Sequence, residues 1–105
     1  MKIVNKEEFL ETIKEGYTLV DFYADWCGPC KMLGPVLEEL SSEVEDVKFI
    51  KVNVDDENDL AKDYGIMSIP AIFLFKDGEV VNNAVGFQPK ERILDFINQS
   101  KGNLN

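Results

Sequence analysis

The sequence predicts an α/β fold: a central mixed five-stranded sheet flanked by four helices, in one domain spanning residues 1–105. Three observations carry this. Apolar periodicity alternates between strand-like and helix-like segments from end to end, without repeats, low-complexity tracts or linkers. A strand–helix–strand–helix–strand order requires parallel pairing through right-handed crossovers. Two late apolar runs flank Asp77-Gly78, a type I′ hairpin signal, so the last strands must add antiparallel.

Lys2 to Val4 reads as a short strand. Asn5 then caps a helix, with Glu8 placed to close a capping box, and Phe9, Leu10 and Ile13 form the stripe expected to be buried. Gly16 closes that helix. Thr18 to Ala24, "TLVDFYA", is apolar throughout except for Asp21, the pattern of a central strand covered on both faces. From about Pro29 the spacing Leu33, Leu37, Leu40, Val44 marks a helix of about four turns, with Pro35 expected to kink it. Val47 to Val54 is the next strand. The acidic run "DDENDL" does not fit a calcium loop, because counting from Asp55 puts Leu60 where glycine is required and Ile66 where glutamate is required. It reads instead as a solvated loop leading into a short helix that ends near Gly65. "AIFLF" and "EVVNNAV" form the hairpin, and Gln88 to Ser100 a final helix with Pro89 in its first turn and Ile93, Leu94, Phe96 and Ile97 inward.

The chain carries 11 Lys+Arg against 20 Asp+Glu, a net charge of -9. Such a surface repels phosphate backbones and anionic lipid heads, so no nucleic-acid or membrane partner is expected. The first residues, "MKIVNKEEF", are charged and lack an apolar core, and no stretch approaches the ~20 apolar residues of a span. A cytoplasmic location follows as an expectation, and the Asn98-Gln99-Ser100 sequon then has no role.

The 2 cysteines, Cys27 and Cys30, stand three positions apart beside the single tryptophan, Trp26. An intramolecular zinc site needs four ligands, and the chain has 2 Cys and 0 His. An iron–sulfur cluster fails on the same count, and haem attachment fails because Lys31 occupies the position that needs histidine. No metal and no cofactor are therefore expected. A disulfide closing so short a loop restricts the unfolded chain little, so stabilisation is a poor reason for the pair. Gly28-Pro29 between the cysteines makes a turn rather than core, which leaves reactivity. Cys27 ends the loop leaving a buried strand, so its sulfur should face the unpaired N–H groups of the helix that Pro29 begins. A thiol of pKa ~8.5 is only about 3% ionised at pH 7, and raising that to one half takes about 2 kcal/mol. A helix terminus supplies roughly 0.3–1 kcal/mol, so a direct hydrogen bond to sulfur must supply the rest. Cys30, one turn into the helix, is expected to be the more buried and less acidic, hence the resolving thiol to the attacking Cys27.

"WCGPC" at Trp26 to Cys30, following "VDFYA" and with Ile69-Pro70 and Gly86 downstream, resembles the thioredoxin family over the whole chain. The resemblance implies the thioredoxin fold, dithiol–disulfide activity on protein disulfides, renewal by thioredoxin reductase, and a monomer. Asp21 matches the family's buried aspartate, whose raised pKa suits a proton acceptor for Cys30, and Lys51 in the neighbouring strand resembles its partner lysine. Ile69-Pro70 matches the family's cis proline facing the disulfide, where the Ile69 backbone would pair with an extended substrate segment. Gly86 would admit that segment closely, Trp26 would flank it, and Gly28 and Pro29 would lie beneath it. The sequence departs from the family pattern at Tyr23, where many relatives have tryptophan, at Met67-Ser68, and at Phe87. Gly28-Pro29 resembles the reducing members rather than the oxidising ones, which place histidine between the cysteines. The expected function is a general protein-disulfide reductant; a disulfide oxidase or isomerase, or a redox-independent assembly module, are the alternatives.

Overall fold

The computed structural model describes residues 1–102. Along them run β1 (Lys2–Ile3), α1 (Lys6–Ile13), β2 (Tyr17–Tyr23), α2 (Gly28–Glu43), β3 (Val47–Asn53), α3 (Asn58–Asp63), β4 (Ala71–Lys76), β5 (Glu79–Val85) and α4 (Lys90–Ser100). The strands form one mixed sheet in the order β1-β3-β2-β4-β5. β2 is central, parallel to β3 and antiparallel to β4, as its two-sided apolar pattern requires.

Alternation along β2 divides the core. Val20 and Phe22 face Phe9, Ile13, Leu60, Phe73 and Phe75 beneath α1 and α3. Leu19 faces Leu33, Leu37, Leu40, Ile93 and Ile97 beneath α2 and α4. On the first side Tyr64 packs against Phe9, Phe22, Phe73 and Phe75, three of these contacts edge-on with centroids 5.5–5.8 Å apart.

α1 starts with the expected box: the Glu8 N–H donates to Asn5 Oδ1 at 2.9 Å, and the Asn5 N–H to Glu8 Oε1 at 3.2 Å. Phe9 and Ile13 are buried, but Leu10 is 45% exposed. A helix this short presents only an i, i+4 pair to the sheet, and Leu10 is rotated about 80° from the middle of that pair. Leu94 is exposed in the same way, one position past the buried Ile93 of α4, and Pro89 stands before that helix as its N-cap rather than within it. Beyond α1, Lys48 Nζ donates to the carbonyls of Thr12 and Glu15 at 2.6 and 2.7 Å, satisfying groups that the helix end leaves open.

The β4–β5 turn has positive φ at Asp77 (50°) and Gly78 (90°), the type I′ geometry the dipeptide predicts. It is fastened to the start of β2 by a reciprocal pair: the Gly16 N–H donates to Asp77 Oδ1 (2.7 Å) and the Asp77 N–H to the Gly16 carbonyl (3.0 Å). A register irregularity at Leu74/Phe75 was not visible in the alternation. Topology now fixes the site. β2 leaves the sheet at the end where β4 enters and β5 leaves, so Cys27, Ile69-Pro70 and Gly86 all arrive at one pole.

Candidate redox site

α2 begins at Gly28, one residue earlier than its proline suggests, because Cys27 is the N-cap. The Cys30 N–H donates to Cys27 Sγ at 3.2 Å. Gly28 and Pro29 lie exposed in the first turn, and Pro29 has no N–H to offer. Cys27 and Cys30 form a disulfide with Cα atoms 5.2 Å apart. The two residues are almost equally covered, 4% and 5% exposed, so the expected difference in burial is not present in the disulfide form. Their surroundings do differ. Cys27 Sγ meets an N–H and lies 3.8 Å from the Ile69 carbonyl, whereas Cys30 lies against a cleft of ≈ 760 Å³ that it shares with Tyr23, Pro35 and Lys51.

The Ile69-Pro70 peptide is cis, which puts the Ile69 carbonyl against the disulfide. The Gly86 N–H donates to the Pro70 carbonyl at 2.7 Å and ties the third segment to the second. Gly86 has φ 92°, a conformation that disfavours any side chain, and the space where a Cβ would project is empty to 4 Å. Trp26 is 70% exposed, with its indole N–H donating to Asp55 Oδ2 at 3.0 Å. Between Trp26, Met67 and Ile69 runs a groove of ≈ 320 Å³. Asp55 is a site residue that the acidic-run reading passed over. Its signal was Asn53, two positions earlier, whose Oδ1 accepts the Asp55 N–H at 2.9 Å and turns that carboxylate back toward the indole.

Asp21 is 1% exposed, and neither carboxylate oxygen has a hydrogen-bond partner. Burial raises its pKa from 3.8 to about 7, with the Lys51 charge pulling the other way. Lys51 stands opposite Asp21 in the β2–β3 register, yet no ion pair within 4.0 Å joins them, and its ammonium lies over the Tyr23 ring, 4.3 Å from the centroid. Lys51 thus acts on Asp21 at a distance rather than by contact.

A disulfide that caps a helix and faces the Ile69 carbonyl of a cis peptide, in a fold whose central strand buries a carboxyl with its pKa raised to about 7, is equipped for reversible thiol chemistry. Comparison with known proteins agrees. The family model described as Thioredoxin matches residues 1–99. The chain is 50% identical over 99 residues to a thioredoxin of Chlamydia caviae, covering 94% of this chain and 97% of that one. To a thioredoxin of Bacillus subtilis it is 49% identical over 94 residues, covering 89% and 90%. Among solved structures, Plasmodium falciparum thioredoxin superposes with a TM-score of 0.89 at 34% identity, covering 94% of this chain and 98% of its own. A mutant thioredoxin from Halobacterium salinarum superposes at 0.85 and 40% identity, covering 95% and 88%.

Proposed function

This chain belongs to the thioredoxin family and is a thiol–disulfide oxidoreductase, and from that premise we propose the following assignment of its steps. In the dithiol form the Cys27 thiolate attacks one sulfur of a protein disulfide. That bond breaks, a Cys27–substrate disulfide forms, and the departing sulfur leaves as a thiolate that takes a proton from water. Cys30 then gives its proton to the Asp21 carboxylate and attacks Cys27 Sγ. The mixed disulfide breaks, the second substrate sulfur leaves as a thiolate and takes up the proton that Asp21 gives back, and the substrate departs as a dithiol with the protein left oxidised.

The observation that carries this reading is the Cys27 sulfur at the start of α2, accepting the Cys30 N–H at 3.2 Å. A hydrogen bond to an ionised group is worth about 1.5–3 kcal/mol, which with the helix terminus covers the ~2 kcal/mol that half-ionisation at pH 7 requires. The substrate chain is proposed to lie extended across the Ile69 backbone, with Gly86 leaving it room and Trp26 and Met67 on its flank. Renewal by a thioredoxin reductase and work in the cytoplasm are part of the same proposal; among the described residues no helix is long and apolar enough to cross a membrane.

The test is reduction of a protein disulfide such as that of insulin, driven by a thioredoxin reductase and NADPH. Turnover that disappears when Cys27 and Cys30 are both serine supports the reading. Turnover by the double variant, or a reduction potential so high that the protein only accepts electrons from dithiols, sinks it.

A further inference from the structure

The lysine beside the buried carboxylate is held by something else. Register partners on parallel strands present their side chains on the same face, so Asp21, Tyr23 and Lys51 all point toward α2. An unpartnered carboxylate and an ammonium so placed would be expected to meet. Instead the Lys51 Nζ sits 4.3 Å from the centroid of the Tyr23 ring, where the negative face of the π-system attracts it. Tyr23 makes a firm platform: it is 8% exposed, packed with Ala24, Cys27 and Cys30, and its hydroxyl neighbours the buried Asn53 side chain. The cleft around the ammonium holds the charges of Asp25, Lys31, Glu38 and Glu39. Glu38 is taken by the amino group of Met1 and Glu39 by Lys90, so neither competes strongly for Lys51. Toward Asp21 itself the neighbouring strand β4 offers only apolar Ile72 at the matching position, and α2 brings Cys30 to the same face.

We propose that Tyr23 is a positioning residue: its ring holds the Lys51 ammonium out of contact with Asp21, so that the carboxyl stays free to take the proton of Cys30. The proposal rests on the reading of Asp21 as proton acceptor, and it gives the residue that departs from the family pattern a specific task. An ion-paired Asp21 would stay ionised through neutral pH and could not return a proton; one with no cation nearby would take up its proton too readily and give it up too late.

The test follows the Asp21 carboxyl carbon by NMR across pH. Tyr23→Leu should lower its titration midpoint by about one pH unit or more, because the freed ammonium drops onto the carboxylate. The same substitution in a Lys51→Met background should lower it by much less, since only water entry remains. Tyr23→Phe, which keeps the ring face, should leave the midpoint in place. Equal shifts in the two backgrounds, no shift, or an upward shift would overturn the proposal. Should Tyr23→Leu fail to fold, the wild-type protein still decides: the Lys51 Cε protons must show the upfield displacement of a methylene over an aromatic face, and their appearance at an ordinary position overturns it. The underlying reading fails separately, if Asp21→Asn exchanges thiols at the wild-type rate across neutral pH while these NMR results stand.

Discussion

Asp21→Asn should stabilise the oxidised protein by an amount that depends on pH. The carboxyl is 1% exposed with both oxygens unpartnered, and burial raises its pKa from 3.8 to about 7. A folded-state pKa above the unfolded one means that folding disfavours the ionised form. The penalty is therefore absent below the unfolded value, where both states are protonated, grows as pH rises past it, and is complete above the folded value near 7. The gap of roughly three pH units corresponds to about 4 kcal/mol, of which about 1.6 kcal/mol is already present at pH 5. An asparagine has the shape of the neutral carboxyl and finds the same lack of partners, so that cost cancels when one pH is compared with another. Urea unfolding of both proteins at about pH 3, 5, 7 and 9, with equal slopes, reads the difference as a displacement of the midpoint. The variant should gain roughly 4 kcal/mol on wild type between the lowest and highest pH. A difference that does not change with pH, or a wild type that is the more stable at pH 9, would refute the reasoning by showing that Lys51 outweighs burial.

Cys30→Ser should accumulate mixed disulfides with substrate proteins while Cys27→Ser should not, because only the first keeps the attacking sulfur and lacks its resolving partner; non-reducing electrophoresis reads it, and equal trapping would reverse the roles. Trp26 is the single tryptophan and adjoins Cys27, so opening the disulfide should raise indole emission with no change in far-ultraviolet circular dichroism, and thiol counting that confirms reduction at constant emission would contradict that placement. Gly86→Ala meets no neighbouring atom but forces a side chain onto φ 92°, which should cost about 1–3 kcal/mol and lower Tm by several degrees in a thermal scan; an unchanged Tm would show that the turn relaxes freely.

The parts of this molecule legible in its sequence are those whose cause is local. Asn5 with Glu8, Asp77 with Gly78, and Cys27 ahead of Pro29 each specify a backbone conformation within a few residues, and each conformation is found. The centrality of β2 was legible because its run is apolar on both faces. Leu10 and Leu94 are exposed where helical spacing predicts burial, because the apolar stripe of an isolated helix is wider than the strip of sheet available to it. At the site, no local pattern distinguishes a cis from a trans Ile69-Pro70 bond, and that expectation came from likeness to a family. The Lys51–Tyr23 contact and the Asp55 anchor of Trp26 join side chains on different strands and loops, so they depend on register and on a turn that only the assembled chain displays.

The order in which the chain is made gives the antiparallel β2–β4 pair a meaning of its own. On a ribosome the Cys27–Cys30 motif and its Asp21 emerge well before Ile72, the residue that stands beside Asp21 in the adjacent strand β4. Until then β2 is an edge strand, open along the side on which Ile72 will come to border Asp21. The Cys27 cap on α2 needs only residues 27 to 30, whereas the surround of Asp21 closes when β4 docks and the hairpin latches at Gly16 and Asp77, at the pole opposite the sulfurs. A product cut short before β4 would carry the complete cysteine motif and its helix cap without the strand that borders Asp21.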